Sequence, residues 1–376
     1  MPVKPNPPKL PKIPSILRFG ELFSGPGGIA SGAMTAARQL GINLKHTWAI
    51  DVDADSCATY ALSVLGHKGV ELPSTLINKS IADVRLSKLG PIAALAFGFP
   101  CNDFSLVGEK RGTNGKFGEL YSYGVKTLEV HNPMFFVAEN VGGLRSSGGG
   151  AALRGIISDL RRAGDGYTVC THYYKFEDYG IPQTRHRVIL VGISRKISEN
   201  GIEYRIPAPS HCGKHVSVRD ALSGIKAGDS RWKNNELTRQ SSNVIARLKC
   251  IGPGENAWNS TIDDPALRLN VKNVKLSQIY RRLHPDKPAY TITGSGGGGT
   301  HVYHWKEPRA LTNRERAALQ TFPENYEFVG RKESVRKQIG MAVPPKAAHV
   351  IFLSVFRTLL GIDYRSVKSN MPEYDL

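Results

Sequence analysis

The chain has 376 residues, of which 40% are hydrophobic, and a formal net charge of +18. This length is enough for one large domain and a smaller one with a core that needs no disulfide bonds. The 50 Lys and Arg against 32 Asp and Glu favour a polyanionic partner, nucleic acid first, over acidic small molecules.

The amino terminus is basic and proline-rich. Residues 1–14, MPVKPNPPKLPKIP, lack the apolar centre of a signal peptide, and no later apolar run looks long enough to span a membrane. The five cysteines lie far apart with no Cys-x-x-Cys pair, so neither a zinc site nor a disulfide framework is indicated. We therefore expect a flexible arm at 1–14, no membrane association and a cytoplasmic location.

From Ser15 to Ile193, short apolar runs alternate with segments of helical periodicity. The predicted strands are ILRFGELF, HTWAI, IAALAFGF, MFFVAE, YTVCTHYY and RVILVGI. The predicted helices are IASGAMTAARQL, SCATYALSVLG and AALRGIISDLRRAG. Strands that alternate with helices are typical of a doubly wound parallel α/β sheet.

After Ser194 the sequence becomes polar and is interrupted by Gly and Pro, which predicts a second, smaller and less regular domain over 194–338. Within it, Thr312 and Glu315 form the pattern of a helix capping box. The segment KAAHVIFLSVFRTLLGI is apolar on too many sides for a surface helix, so we expect it to be buried against the first sheet. The first domain is thus predicted to comprise 15–193 and 339–376.

A glycine-rich turn, FSGPGG at 23–28, follows the first strand and opens the first helix. Glycines let backbone N–H groups approach a ligand there. Asp51 lies 23 residues beyond Gly28 at the end of the second strand, where a carboxylate accepts hydrogen bonds from ribose hydroxyls. The two features indicate an adenosine-containing cofactor, and their spacing suits a nicotinamide dinucleotide or S-adenosylmethionine equally.

Polar and reactive side chains follow several predicted strands. Cys101 comes directly after Pro100 at a strand end, where open sheets keep their chemistry, although a free cysteine is often only a small buried hydrophobe. Glu139 ends another predicted parallel strand and should reach the same sheet edge as Cys101, as a reactive carboxyl group or as a helix cap. Arg185 and Arg187 alternate on one strand face, as ligand clamps or as solvated charges.

Read in order, these segments resemble the motifs of the DNA (cytosine-5)-methyltransferases over nearly the whole chain: FSGPGG, AIDVD, GFPCNDFS, GELY, ENV, QTRHR, RLHPDKPAYTIT and GMAVP. The resemblance implies a Rossmann-like S-adenosylmethionine-dependent methyltransferase sheet with a separate DNA-recognition domain. It also implies transfer of a methyl group to carbon 5 of a cytosine that is flipped out of double-stranded DNA.

The resemblance assigns catalytic roles to four residues. Cys101 would add as a thiolate to ring position 6, which activates carbon 5. Glu139 would hold the ring nitrogen at position 3 and supply its proton, and Arg187 would hold the ring carbonyl oxygen. Arg185 belongs to the same motif and adds positive potential.

The implied cofactor is S-adenosylmethionine, which leaves as S-adenosylhomocysteine, and no metal is implied. The resemblance places Phe23 and Leu120 on the adenine and Asp51 on the ribose. The sequence departs from the family pattern at Glu21, Ser80, Met341 and Asn102. The implied cofactor-binding residues are Phe23, Ser24, Gly25, Pro26, Gly27, Gly28, Asp51, Val52, Ser80, Ile81, Pro100, Leu120, Met341 and Ala342.

The compact chain resembles bacterial modification enzymes, so we expect a monomer that protects host DNA from a cognate restriction endonuclease, a functional and not a physical partner. The alternatives are a tRNA cytosine-5 methyltransferase, a catalytically silent DNA-binding regulator and a nicotinamide dehydrogenase. Basic and polar runs between Arg195 and Tyr280 are predicted to read the DNA sequence. The tract GSGGGG at 294–299, with Thr300, is predicted to bring backbone amides close to phosphates.

Overall fold

The computed structural model describes residues 10–99, 120–145, 150–269 and 279–374. The strands are β1 Leu17–Leu22, β2 Leu44–Asp51, β3 Leu76–Asn78, β4 Ala94–Gly98, β5 Phe135–Val141, β6 Tyr167–Lys175, β7 Gln183–Thr184, β8 His186–Ser194, β9 Ile206–Pro207, β10 Ala289–Tyr290 and β11 Ser366–Val367. The α-helices are α1 Gly28–Gln39, α2 Ala54–Ser63, α3 Leu120–His131, α4 Ala151–Arg162, α5 Arg195–Ser198, α6 Val218–Ala221, α7 Ser242–Lys249, α8 Asn313–Leu319, α9 Lys332–Met341 and α10 Pro345–Leu360.

The largest sheet in the described part of the chain has seven strands in the order β3-β2-β1-β4-β5-β8-β6. β1 pairs in parallel with β2 and β4, and β4 pairs in parallel with β5, as predicted. The sheet is not parallel throughout, however, because β8 runs antiparallel to both β5 and β6. Residues 176–185 between β6 and β8 are too few for a crossover helix, so the chain returns in the opposite direction.

Each predicted strand and helix of the first domain is confirmed, with ends that differ by a few residues. Among the described strands and α-helices of this domain, β3, β7, β11 and α3 were not predicted. β3 has only three residues. The buried face of α3 is made by Gly124, Thr127 and Leu128, and two of these carry little apolar signal in the sequence.

The sheet is covered by apolar side chains on both faces. Successive residues of β5 point to opposite sides, as strand geometry requires. Phe135 contacts Phe352 and Phe356 of α10 edge to face, whereas Phe136 packs against Tyr167 on the other side. Two hydrophobic clusters therefore sandwich the sheet, the arrangement of a doubly wound fold.

Helix α10 lies in the first of these clusters, which confirms its predicted burial. The stretch Lys332–Leu360 is the one part of the described chain that is long and apolar enough to cross a membrane by length and composition alone. Its most apolar window is 72% buried inside the protein. It therefore has the burial of a core segment, and it is interrupted between α9 and α10.

The second region is irregular in backbone, as predicted, and buried arginines hold it together. The Arg282 guanidinium donates to the carbonyls of Leu248, Ile251, His304 and Trp305. In the same way, Arg314 donates to the carbonyls of residues 323, 324 and 326. Loops that leave carbonyls without a strand or helix partner need such donors when they are buried. The predicted capping box of Thr312 and Glu315 is present at the start of α8.

We expect Gly340→Ala to disrupt the contact between α9 and the glycine-rich tract. A Cβ atom at position 340 would lie 2.0 Å from the backbone nitrogen of Gly294 and 2.1 Å from the carbonyl carbon of Thr293. Backbone atoms cannot move aside cheaply, so the free energy of unfolding should fall by about 2–4 kcal/mol. Urea denaturation measures this loss.

The matched control is Gly155→Ala in the exposed part of α4, where a Cβ atom meets nothing within 4 Å. This change should raise stability by about 0.4–1 kcal/mol, because alanine restricts the unfolded chain. Equal stabilities of the two variants would contradict the proposed close contact at Gly340.

Candidate active site

The candidate site lies where the strand order reverses. The chain passes from β1 through α1 to β2 on one side, whereas β4 and β5 lie on the other side of β1. Ligands of open α/β sheets bind outside the carboxyl ends of the strands at such a switch point. The glycine-rich turn leaves β1 there, and the segment leading to Cys101 leaves β4 beside it.

The glycine-rich turn is held by the carboxylate of Asp51. Its two oxygens accept hydrogen bonds from the N–H of Gly25 at 2.7 Å and from the N–H of Asp53 at 2.9 Å. Burial raises the pKa of this carboxyl group, against the effect of those N–H donors. Gly25 and Gly27 have φ values of 52° and 91°, which L-residues other than glycine rarely adopt. Asp51 therefore joins the turn to the end of β2.

Phe23 also has a positive φ, 53°, which is strained for an aromatic residue and typical of functional loops. Its half-buried ring packs against the same hydrophobic cluster that contains Ile81 and borders Leu120. The three residues thus belong to one hydrophobic cluster or its border. Val52 and Met341 present exposed apolar side chains, 73% and 63% accessible.

The remaining residues of the predicted cofactor set are placed as follows. Ser24 is buried, and its Oγ has no hydrogen-bond partner within the described residues. The Pro26 carbonyl accepts from the Tyr326 hydroxyl. Ser80 is exposed and caps a 3-10 turn through the N–H of Ala82. Ala342 is buried, and its carbonyl accepts from Arg185.

These features fit an adenosine cofactor with a charged tail. The partnerless Ser24 hydroxyl and the spare lone pairs of Asp51 are acceptors for ligand hydroxyl and amino groups. The apolar side chains around Phe23 suit the face of an adenine ring. The residues present are therefore compatible with the predicted group.

Glu139 and Arg187 meet at the carboxyl edge of the sheet. The Arg187 Nε lies 2.7 Å from the Glu139 Oε1, and both side chains are about one-seventh exposed or less. The Nε–H is not directed at that oxygen, so the contact is an ion pair and not an aligned hydrogen bond. Gly98 of β4 faces Glu139 across the parallel pair, so this ion pair borders the end of β4.

Pro100 and Cys101 lie outside the described residues. The preceding residue, Phe99, is described, and its carbonyl accepts from the side-chain amide of Asn140 at 3.3 Å. Asn140 is 1% exposed. It therefore ties the chain that enters Cys101 to the strand that carries Glu139.

The side chains of the QTRHR motif make two kinds of contact. Arg185 is buried and donates to the carbonyls of Ile292, Gly340 and Ala342. Burial, followed by the nearby charge of Arg187, lowers the pKa of Arg185. Gln183 accepts from the N–H of Ile292 and donates to the Leu319 carbonyl and the Gln320 side chain.

Arg185 and Gln183 therefore anchor the second region to the sheet, whereas Arg187 faces Glu139. Arg185 and Arg187 were predicted to share one strand face. The two side chains are close enough to interact electrostatically, but their guanidinium groups have different partners. The catalytic role of Arg185 stays a prediction.

A buried acid lies beneath the glycine-rich turn. Glu21 is fully buried, its Oε2 accepts from the Tyr60 hydroxyl at 3.1 Å, and its Oε1 has no partner within the described residues. The same hydroxyl lies 3.3 Å from the His46 Nδ1. Burial is the main cause that raises the pKa of Glu21 to about 8, with a smaller contribution from Asp51. The carboxyl group is thus protonated at neutral pH.

Protonation of Glu21 predicts a pH dependence of stability. Between the ordinary pKa of 4.5 and about 8 the folded protein holds a proton that the unfolded chain releases. This stabilising contribution is complete below pH 4.5 and is lost as the pH rises toward 8. The urea midpoint of the wild type should fall over that pH range by the equivalent of a few kcal/mol, and Glu21→Gln should lack this fall. Parallel pH profiles of the two proteins would show that Glu21 does not titrate this way.

The basic residues of the predicted sequence-reading segment differ in their contacts. Arg247 donates to the Leu267 carbonyl at 2.6 Å and stacks on Tyr280, so it is engaged within the protein. Arg231 is paired with Asp229 but remains 78% exposed. Lys233, Arg239 and Lys249 are exposed. Which of these side chains reads bases stays a prediction.

Sequence reasoning missed several residues that shape the site. Tyr326, which binds the Pro26 carbonyl, and Asn78, which donates to the Asp51 carbonyl, stand in no motif. Asn140 stands in the ENV motif, and its position between Glu139 and Val141 was the available signal. Hydrogen bonds between residues far apart in sequence leave no local pattern.

Comparison with known proteins gives consistent results. The model of the C-5 cytosine-specific DNA methylase family matches residues 17–357. Type II methyltransferase M.BbvI of Brevibacillus brevis is 49% identical over 362 residues, 94% of each chain. M.NgoFVII of Neisseria gonorrhoeae is 37% identical over 86% of this chain and 82% of its own.

A solved structure gives the same fold. The crystal structure of an E. coli protein encoded within a prophage aligns with a TM-score of 0.69 and 22% identity, over 92% of this chain and 99% of its own. The family match removes the dehydrogenase alternative and confirms the predicted family. The chain belongs to the C-5 cytosine-specific DNA methylases.

Proposed function

We propose that the protein transfers a methyl group from S-adenosylmethionine to carbon 5 of a flipped-out cytosine in duplex DNA, through a covalent adduct with Cys101. The observation that carries the proposal is the Glu139–Arg187 ion pair at the sheet edge, beside the strand that leads to Cys101. A carboxyl group and a guanidinium side by side match the ring nitrogen and carbonyl oxygen of cytosine.

The chain's residues divide the chemistry. The Cys101 thiolate adds to carbon 6 of the ring, and the electron pair displaced from the 5,6 double bond makes carbon 5 nucleophilic. After carbon 5 has taken the methyl group, loss of its proton to a base expels the thiolate and restores the double bond. Glu139 supplies a proton to the ring nitrogen, which limits the charge that accumulates. Arg187 donates to the ring oxygen. Asn140 positions the chain before Cys101 through the Phe99 carbonyl.

S-adenosylmethionine, when bound, supplies an electrophilic methyl group on a sulfonium. Asp51 would accept from its ribose hydroxyls, and the apolar side chains at Phe23, Ile81 and Leu120 would cover the adenine. The turn Ser24–Gly28 would present backbone N–H groups to the tail of the cofactor. Ser80 and Met341, where the family pattern carries polar side chains, leave this chain with fewer polar contacts there.

The substrate is tested by incubating the protein with a cofactor labelled on its methyl group and either duplex DNA or tRNA. We expect label in duplex DNA alone, at carbon 5 of cytosine within one short sequence. Label in tRNA alone would favour the alternative substrate. No label in either, with DNA binding intact, would favour the silent regulator.

Asp51→Ala should weaken cofactor binding by about 1–3 kcal/mol, the cost of lost hydrogen bonds to buried hydroxyls, with the loop contact to Gly25 lost as well. Calorimetric titration with S-adenosylhomocysteine measures this change. Asp263→Ala, an exposed aspartate of the second region, is the matched control and should bind normally. An unchanged dissociation constant for Asp51→Ala would remove this residue from the cofactor site.

The biological role follows from the similarity to Type II methyltransferases, which supports a modification enzyme of a restriction-modification system. The cognate endonuclease would then share the recognised sequence without binding this chain. The net charge of +18 supports association with DNA, and a DNA-modifying enzyme of this kind acts in the cytoplasm. We propose that it acts as a monomer on one cytosine at a time.

A further inference from the structure

One buried arginine differs from the others in the second region. Arg316, on α8, is 1% exposed, yet neither of its terminal guanidinium nitrogens has a hydrogen-bond partner within the described residues. Arg282 and Arg314, by contrast, each donate to three or more carbonyls. A charge this deeply buried is costly without an acceptor.

A second arginine adds to the uncompensated charge. Arg336 of α9 is 9% exposed, and one of its terminal nitrogens donates to the Gly296 carbonyl at 2.7 Å while its Nε has no partner in the described chain. Burial, followed by the charge of Arg336, lowers the pKa of Arg316 to about 10. The Arg316 guanidinium therefore stays positive at neutral pH, and the charge of Arg336 acts against it.

The acid next to Arg316 in sequence does not neutralise the two arginines. Glu315, next to Arg316 in sequence, is bound by both terminal nitrogens of Arg309 at 2.8 Å and also accepts from the backbone N–H of Thr312. Burial and the charges of Arg316 and Arg336 lower the pKa of His301 to about 4, so this neighbour is neutral. Glu333 also lies near His301, but neither Arg316 nor Arg336 forms an ion pair with an acid among the described residues.

The glycine-rich tract lies against Arg336. A Cβ atom at Gly296 would lie 2.5 Å from the Arg336 Nε, so only glycine lets the guanidinium lie against the loop. Between Gly294 and Gly299 no side chain is larger than serine.

We propose that Arg316 and Arg336, with the tract at 294–299, form an anion site that takes one phosphate group of the DNA backbone. A phosphate offers the acceptors that the guanidinium of Arg316 lacks, in the fork geometry that arginine prefers. The site fixes the position of the DNA without reading its sequence. The inference rests on DNA as the substrate, and it adds two positioning residues that no sequence motif identified.

The proposal makes an unusual joint prediction for Arg316→Met. In phosphate-free buffer the variant should melt at the same temperature as the wild type or higher, because an unpaired buried charge is removed. Its affinity for a duplex should be weaker for every sequence, and the slope of log affinity against log salt should fall by about one unit. Fluorescence anisotropy with a labelled duplex over a series of NaCl concentrations measures the affinity and the salt slope.

Inorganic phosphate tests the site without DNA. At equal ionic strength, phosphate should raise the melting temperature of the wild type above its value in chloride, and Arg316→Met should lose this difference. Arg336→Met should act in the same direction and serves as the second variant. Arg162→Met, which removes a 71% exposed arginine of α4, is the matched control. Its duplex affinity, its salt slope and its melting-temperature response to phosphate should equal those of the wild type.

An unchanged salt slope in both variants would overturn the proposal. So would a lower melting temperature of Arg316→Met that keeps the response to phosphate, because the arginine would then be a structural donor. Neither measurement depends on methyl transfer. A failure of the proposed reaction would therefore leave the phosphate effect in place.

Discussion

Cys101→Ala should abolish methyl transfer, to below about one thousandth of the wild-type rate, while leaving cofactor binding and most of the DNA affinity unchanged. The thiolate supplies the electron pair that makes carbon 5 of cytosine nucleophilic, and no other step replaces it. Phosphate contacts dominate DNA affinity and do not involve the thiol. Transfer of labelled methyl groups to duplex DNA measures the first quantity, and anisotropy measures the second.

Cys212→Ala is the matched control, because Cys212 is a free, exposed cysteine outside the predicted site and its loss should not change turnover. A duplex whose target cytosine carries fluorine at carbon 5 provides an independent test. Fluorine cannot leave as a proton does, so the enzyme should remain covalently attached to the DNA in denaturant. Residual turnover of Cys101→Ala within tenfold of the wild type, or no adduct with a duplex that is otherwise methylated, would refute the thiolate mechanism.

Glu139→Gln should lower kcat by about 10²–10⁴-fold, the usual contribution of a positioned general acid. Glutamine keeps the shape of the side chain but cannot supply a proton to the ring nitrogen. It also leaves the Arg187 guanidinium without its ion-pair partner at 2.7 Å. Single-turnover rates with saturating cofactor and DNA isolate this effect from binding.

Glu129→Gln, an exposed glutamate on α3, is the control for loss of one negative charge and should leave the rate unchanged. The cofactor dissociation constant of Glu139→Gln should equal that of the wild type, because Asp51 and the glycine-rich turn lie at the ends of other strands. A rate within threefold of the wild type would show that Glu139 only pairs with Arg187. In that case the source of the proton would have to be sought elsewhere.

The first domain was largely predictable because its signals are local. Apolar runs that end at polar or glycine-rich turns define β1, β2, β4, β5, β6 and β8, and helical periodicity defines α1, α2 and α4. The antiparallel direction of β8 was not predicted, since strand direction depends on the connection and the pairing and not on the composition of the strand.

The candidate site was predictable where motifs end strands. Parallel strands bring their carboxyl ends to one edge, so Glu139 and the end of β4 were expected to lie together, and Gly98 and Glu139 are paired in register. Arg187 was expected to act on a ligand, and the structure adds its contact with Glu139. The individual roles of these residues remain predictions from the family resemblance.

The sequence by itself determined the fold class, the family and the residue types at the strand ends, because periodicity, glycine turns and ordered motifs are local features of the sequence. Only the tertiary structure decided which arginines bind carbonyls and which lack partners. Arg185, Arg314 and Arg316 look alike as basic residues in the sequence, yet the side chains of the first two donate to backbone oxygens and that of the third to none that is described. The partners of a buried side chain come from segments distant in sequence, so hydrogen-bond satisfaction is a property of packing that no local pattern encodes.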